Sequence, residues 1–294
     1  MEFEGVHTPI ITPFDGADAI DFGALERLIE FQLDAGVAGL IPAGSTGEFY
    51  ALTEHERLNL LRFVAERAKG RCVLTAGANA ATTSEVIRFA RAAGEYGYDA
   101  IMLAPPYYSL PAQDELLAHF RAVLKSVDIP IVLYNFPARA GVEIGYQVLD
   151  GLAEEKNIVA IKESSGDINR LYAIRQRYQG RIQLVCGGDD QAFDYVAWGT
   201  KAWICGAANV APAQHVSLWN DGCRGDFEAS RRTMERVMPL VQSMEGGKYI
   251  QKAKYGVELA GLPAGHARAP LLPLSRQEKA EFAAVFEIAT ANCT

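Results

Sequence analysis

An α/β chain of the (β/α)8 (TIM) barrel class, extended by helices at its carboxyl end, is what the pattern of this sequence predicts. Three observations carry that reading. Eight short apolar runs recur, segments of helical period lie between them, and no stretch rich in Pro, Gly or Ser breaks the alternation. Strands alternating with helices build a parallel sheet, because a parallel pair needs a crossover between its strands. A doubly wound open sheet is the alternative; the absence of GxGxxG after the first strand speaks against it.

The elements follow in order. Gly5-Val6-His7-Thr8-Pro9-Ile10-Ile11 is the first strand. A helix over 22–33 follows, with Leu25, Leu28, Ile29 and Leu33 on one face. Gly39-Leu40-Ile41-Pro42 is the second strand. The next helix, 53–68, opens on Thr53-Glu54-His55-Glu56, a capping box with Thr53 as cap and Glu56 three residues on. Cys72-Val73-Leu74-Thr75-Ala76, a helix over 84–96, Ala100-Ile101-Met102-Leu103-Ala104 and a helix over 114–127 continue the alternation. The last four strands are read at 130–134, 158–161, 182–186 and 202–205, with shorter helices starting at Asp167 and Gln191. Only helical patterns remain after that, over 213–220, 226–243, 248–262 and 276–290. The expected division is residues 1–222 for a barrel carrying the active site and 223–294 for a helical region packed on it.

Composition narrows the function. The 294 residues carry a formal net charge of -8 without a dense basic run, which disfavours nucleic acid and anionic membranes as partners. Acid stands in the first residues where a signal peptide needs base, and no apolar run approaches the roughly 18 residues of a membrane span. The five cysteines (Cys72, Cys186, Cys205, Cys223, Cys293) are scattered without CxxC, and three fall inside apolar runs as expected buried thiols. A reducing cytoplasm is therefore the expected location, with neither a disulfide framework nor a zinc site. No His-x-His or His/Asp cluster stands at a strand end, so no metal is expected.

Active sites of this fold lie at the carboxyl ends of the strands. There Ile158-Val159-Ala160-Ile161 runs straight into Lys162. An ammonium is costly to bury, and a desolvated lysine amine condenses with carbonyls to give a Schiff base. The plainer alternative is a lysine that snorkels to water or pairs with Glu163 or Asp167. After strand two, Ser45 and Thr46 stand between Gly44 and Gly47, as a turn or as a carboxylate grip. Tyr107 and Tyr108 follow strand four. Tyr134 ends strand five, and Arg139 beyond it is a surface charge or a bidentate clamp for a carboxylate. Gly187-Gly188 and Gly206 follow strands seven and eight; with no Lys or Ser beside them in sequence, a phosphate site is disfavoured and room for substrate is the better reading. One lysine, tyrosine hydroxyls, small hydroxyl residues and an arginine suit Schiff-base chemistry on a 2-oxo acid.

These motifs together (Thr8-Pro9-Ile10-Ile11-Thr12-Pro13-Phe14, Gly44-Ser45-Thr46-Gly47-Glu48, Tyr134-Asn135-Phe136-Pro137, and Lys162 in its apolar strand) resemble the dihydrodipicolinate synthase / N-acetylneuraminate lyase family of class I aldolases. The resemblance covers nearly the whole chain. It implies a barrel with a helical carboxyl-terminal region, a homo-oligomer (usually a tetramer, or a dimer), and lyase activity on pyruvate or another 2-oxo acid with an aldehyde partner. It implies Lys162 as the Schiff-base lysine and Tyr134 as the proton-relay tyrosine. Ser45 and Thr46 become the hydroxyl pair of the relay and carboxylate site, and Tyr108 a relay tyrosine lent across a dimer interface. Arg139 becomes the clamp on the second substrate's carboxylate, and Gly188 and Ile204 line the pyruvate pocket. An enamine on lysine serves as electron sink, so no cofactor is expected. The expected reaction is a dihydrodipicolinate synthase-like condensation. Ser45-Thr46 in place of Thr-Thr, bulky Phe49-Tyr50, and Glu245-Gly246-Gly247-Lys248 in place of an Asn-Pro stretch depart from the synthases. They keep open an aldolase or dehydratase for 2-keto-3-deoxy sugar acids, a sialate lyase-like enzyme or a related deaminase. A phosphate-binding barrel enzyme and a non-catalytic ligand-binding barrel are the remaining rivals.

Overall fold

The computed structural model describes residues 1–291. Its strands and helices alternate as the apolar runs predict. In chain order they are β1 (Gly5–Thr8), α1 (Phe22–Asp34), β2 (Gly39–Leu40), α2 (Glu54–Ala68), β3 (Val73–Gly77), α3 (Thr83–Tyr96), β4 (Ala100–Leu103) and α4 (Gln113–Leu124). The second half continues with β5 (Ile131–Asn135), α5 (Pro137–Ala140), α6 (Tyr146–Leu152), β6 (Ile158–Glu163), α7 (Ile168–Tyr178), β7 (Gln183–Cys186), α8 (Ala192–Ala197) and β8 (Ala202–Ile204). The eight strands form a closed parallel barrel in sequence order, with β8 pairing back onto β1. Four helices complete the described residues: α9 (Pro212–Cys223), α10 (Phe227–Glu245), α11 (Tyr249–Leu259) and α12 (Arg276–Thr290).

Local chemistry explains the boundaries. β1 stops at Thr8, short of the expected Ile11, because Pro9 has no N–H to give the ladder. Thr53 caps α2 by accepting from the Glu56 N–H, and Glu56 reaches back to the Thr53 N–H, as the capping box requires. The short α5 and α6 were not expected from the sequence. One has Pro137 at its first position and Gly141 in the left-handed conformation at its end. Neither is long enough to show a helical period.

Two apolar clusters form the core. The larger lies between the strands and the surrounding helices, and includes Leu25, Leu61, Phe120, Leu149 and Trp219. The smaller fills the barrel and includes Phe3, Ile41, Met102, Val132, Tyr134, Ala160, Val185 and Ile204. Strand alternation sorts residues between them: Ile131 and Leu133 of β5 face the helices, whereas Val132 and Tyr134 face inward.

One irregularity decides which side chains reach the barrel mouth. Ile131 pairs with Ile158, but the next pair is Val132 with Ala160, so Val159 is an extra residue on β6. Such a bulge shifts the register by one, and a shift of one exchanges the two faces of a strand. It sets Tyr134 opposite Lys162 and Asn135 opposite Glu163. The outer pair is buried and fully engaged. Asn135 Nδ2 donates to both Glu163 oxygens at 2.9 and 3.1 Å, and Arg170 Nε donates to Glu163 Oε2 at 2.8 Å. Arg170 also donates to the Ile144 carbonyl at 2.9 Å, tying α7 to the segment before α6.

Removing one partner of a buried ion pair leaves the other charge unmatched, at about 3–5 kcal/mol. Arg170→Met should lower unfolding free energy by about that amount in a urea titration. A loss under about 1 kcal/mol would mean that Glu163 is readily neutralised or hydrated.

Candidate active site

Lys162 and Tyr134 point into the same end of the barrel because they are cross-strand partners on the inward face. Both are buried, and the Lys162 ammonium lies 4.3 Å from the centroid of the Tyr134 ring. The alternative of a snorkelling lysine paired with an acid does not hold. Glu163 faces outward to Arg170, and Asp167 is spent capping α7, where it accepts from the Asn169 N–H. Lys162 opens instead onto a cavity of about 220 Å³ at the carboxyl ends of the strands. That is below the range of drug-sized sites and suits a small metabolite.

Five other expected site residues border the same cavity or stand near it. Ser45 and Thr46, on the turn after β2, reach it from one side. Arg139, on α5, stands exposed at its mouth, with its guanidinium 5.7 Å from the Phe136 ring centroid. Gly188 borders it in the turn after β7. Ile204 does not border it; its side chain is packed inside the barrel in the cluster that holds Tyr134. Tyr108 is not brought there at all. It is 95% exposed, with φ 74°, on the loop after β4, and does not border its own chain's cavity.

Several residues at the cavity were not singled out from sequence. Ser164 is buried beside it, and its hydroxyl has no hydrogen-bond partner among the described residues. Asp189 is a junction: it accepts from Trp203 Nε1 at 3.0 Å, from the Ala207 N–H at 2.9 Å and from the Tyr249 hydroxyl at 3.4 Å. The run Gly187-Gly188-Asp189-Asp190 was its only signal in the sequence. Tyr249 and Ile250 come from α11, and Glu245, noted in the sequence only within a departure from the synthases, comes from α10, so the carboxyl-terminal helices wall one side of the cavity. Desolvation, with Asp189 and Asp190 nearby, raises the Glu245 carboxyl to about 7, against the opposing pull of Arg139 and Lys162. The side chain is at the rim and still meets solvent, which moderates that effect. Lys162, Ser164 and Ser165 do approach Gly187 and Gly188 in space, but Asp189, Asp190 and Glu245 face the same volume and oppose a phosphate. Among the described residues no group of three or more His, Cys, Asp or Glu is placed to hold a metal ion.

The arrangement offers an amine, a phenol, small hydroxyls and a guanidinium around one small cavity. An amine there can attack a carbonyl while a phenol beside it moves protons.

Comparison with known proteins agrees with this geometry. The sequence model of the Dihydrodipicolinate synthetase family matches residues 2–289. The chain is 36% identical to the 4-hydroxy-tetrahydrodipicolinate synthase of Exiguobacterium sibiricum, over 97% of this chain and 96% of that one. It is 34% identical to the enzyme of the same name from Methanosarcina mazei, over 96% of each. Among solved structures, it is similar to dihydrodipicolinate synthase from Aquifex aeolicus, with a TM-score of 0.93, 32% identity, and 99% of this chain and 100% of the other covered. The dihydrodipicolinate synthase of Thermotoga maritima gives a TM-score of 0.93 at 29% identity, with 98% and 99% covered.

Gly187 is required by close approach. A Cβ there would stand 2.1 Å from Ser164 Oγ, 2.6 Å from the Glu163 carbonyl and 2.8 Å from Lys162 Cγ. Gly187→Ala should therefore displace Lys162 and slow its reductive trapping by a small carbonyl compound at least about tenfold, read by intact mass. Trapping at the wild-type rate would show that the turn yields without moving the lysine.

Proposed function

The chain belongs to the dihydrodipicolinate synthetase family, and from that membership and the cavity around Lys162 we propose that it is a lyase condensing pyruvate with an aldehyde through a Schiff base. The observation that carries the reading is the cross-strand pair of Lys162 and Tyr134 in a small cavity open at the barrel mouth. The Lys162 amine adds to the C2 carbonyl of pyruvate, and loss of water gives the imine. Ser45 and Thr46 hold the carboxylate. Tyr134 gives its proton to the hydroxyl that leaves as water; the protonated imine then draws electrons from C3, which loses a proton to the Tyr134 phenolate and becomes the nucleophilic end of an enamine. That carbon attacks the aldehyde, whose oxygen takes a proton back through Tyr134. Hydrolysis then frees Lys162. The lysine supplies the electron sink, and the steps need no cofactor.

Arg139 at the mouth is suited to a carboxylate on the aldehyde, the feature expected of a 4-hydroxy-tetrahydrodipicolinate synthase substrate. Tyr108, exposed on its own chain, serves a second copy in this reading and joins Tyr134 and Ser45 in the relay, so the working enzyme is a homo-oligomer. A reducing cytoplasm suits the free thiols among the described residues, Cys72, Cys186, Cys205 and Cys223; Cys293 lies outside those residues. A 2-keto-3-deoxy sugar acid is the second reading. It is favoured by Asp190 and Glu245, whose carboxyl groups border the cavity where substrate hydroxyls would lie.

Borohydride trapping with pyruvate tests the chemistry. The wild type should gain the mass of one reduced pyruvate adduct, and Lys162→Ala should gain none while keeping its unfolding transition. An adduct on the Ala variant would place the nucleophile elsewhere. Turnover of aspartate semialdehyde against polyhydroxylated aldehydes then separates the two readings of substrate.

Tyr134→Phe should keep the barrel packing and lower turnover by about 100- to 10,000-fold, with far less effect on pyruvate binding. Steady-state kinetics beside calorimetric pyruvate binding would check this; near-normal turnover would reduce Tyr134 to a packing residue.

A further inference from the structure

Lys254, on α11, is among the largest fully buried side chains, and the Schiff-base reaction gives it no task. Its ammonium stands 2.7 Å from Oε1 of Glu48, which is itself wholly buried. It also donates to the His266 carbonyl at 2.7 Å and lies 4.1 Å from the Phe14 ring centroid. Glu48 Oε2 accepts the Arg268 N–H at 2.9 Å.

Glu48 closes the turn that carries Ser45 and Thr46. Two non-glycine residues in the left-handed region bracket that turn, Ala43 at φ 54° and Glu48 at φ 56°. Such residues persist only where the surroundings over-determine them. At Ala43 the constraint is contact with β3: a Cβ on Gly77 would stand 2.1 Å from the Ala43 carbonyl oxygen. In the middle of the turn, Thr12 Oγ1 donates to the Gly47 carbonyl at 2.7 Å. At Glu48 the hold is Lys254, together with the Arg268 N–H.

The pair does not recommend itself as a source of stability. Burial brings Lys254 down to about 8, although Glu48 pulls upward. A buried ion pair can often be replaced by apolar groups without loss, so what it fixes is geometry. The charged groups facing Lys254 are Glu48 from the turn after β2, Arg268 from the segment after α11, and Asp18 from the loop before α1. Arg268 is itself committed to Glu56, and Asp18 to His266.

We propose that Lys254 is a positioning residue, which through Glu48 holds the strained turn presenting Ser45 and Thr46 to the substrate. The proposal rests on the reading that those hydroxyls grip the 2-oxo acid. Its test compares Lys254→Met, Glu48→Gln and the double variant with wild type. Each is measured for unfolding midpoint, borohydride trapping of pyruvate, and kcat and KM for pyruvate from neutral to alkaline pH. Each single variant should lose stability, since it leaves a buried charge or a buried polar group unmatched. The double variant should be more stable than Lys254→Met alone, which leaves the Glu48 carboxylate charged and unmatched, and should still be trapped at saturating pyruvate. Its KM for pyruvate should nevertheless rise at least about tenfold, because the hydroxyls are no longer held in place. Wild-type kcat/KM should fall as pH rises through about 8, where Lys254 loses its proton, and the double variant should lack that limb. A double variant with wild-type KM and an unchanged alkaline limb would overturn the proposal. So would one as unstable as Lys254→Met, which would show a purely structural role. Failure of the wild type itself to trap pyruvate would overturn the functional reading, and the trapping measurement keeps that outcome distinct from failure at Lys254.

Discussion

The pairing of β5 with β6 includes one extra residue, Val159, and the site depends on that single step of register. Without it Tyr134 would face Ile161, and Lys162 would fall opposite Asn135. The side-chain period of a strand is two, so no intermediate arrangement exists. The register is held from the other face of the sheet. Asn135 and Glu163 are as firmly paired outward as Tyr134 and Lys162 are inward, and Arg170 closes the outer pair. A buried, hydrogen-bonded charge pair is a poor source of stability but a strong arbiter between alternatives. Here the alternative would bury Glu163 among the apolar residues inside the barrel.

That arrangement also explains how a lysine can be kept inside a barrel. Its side chain is buried, and its ammonium lies over the ring of Tyr134, itself part of the apolar cluster inside the barrel. The mouth above it is polar and shaped by backbone turns that a Cβ would obstruct, as at Gly187. Apolar layers below and convergent polar groups above are what binding a small acid in one orientation requires.

Much of this was legible in the sequence, for a local reason. An apolar run ending abruptly in Lys162, or Ser45-Thr46 between glycines, shows a strand end and its chemistry within a few residues. What escaped depends on distance or on a single residue's conformation. The bulge at Val159 leaves no mark in a run of apolar residues. The partnership of Glu48 with Lys254 joins positions far apart in the chain. The helical turn that carries Arg139 is too short to show a period. Ile204 was expected to line the cavity and instead packs inside the barrel, away from the cavity lining. Tyr108, expected to act across an interface between copies, is exposed on its own chain.

The carboxyl-terminal helices belong in the same account. α10 ends at Glu245 beside the cavity, and α11 brings Tyr249 and Ile250 against it before burying Lys254 under the turn after β2. The extension thus walls the site and braces it. It also sets the charge of the mouth. Desolvation, with Asp189 and Asp190 nearby, raises the Glu245 carboxyl, an effect moderated because the side chain still meets solvent. The helices outside the barrel therefore place an acidic side chain at the mouth, facing the same volume as Arg139 and Lys162.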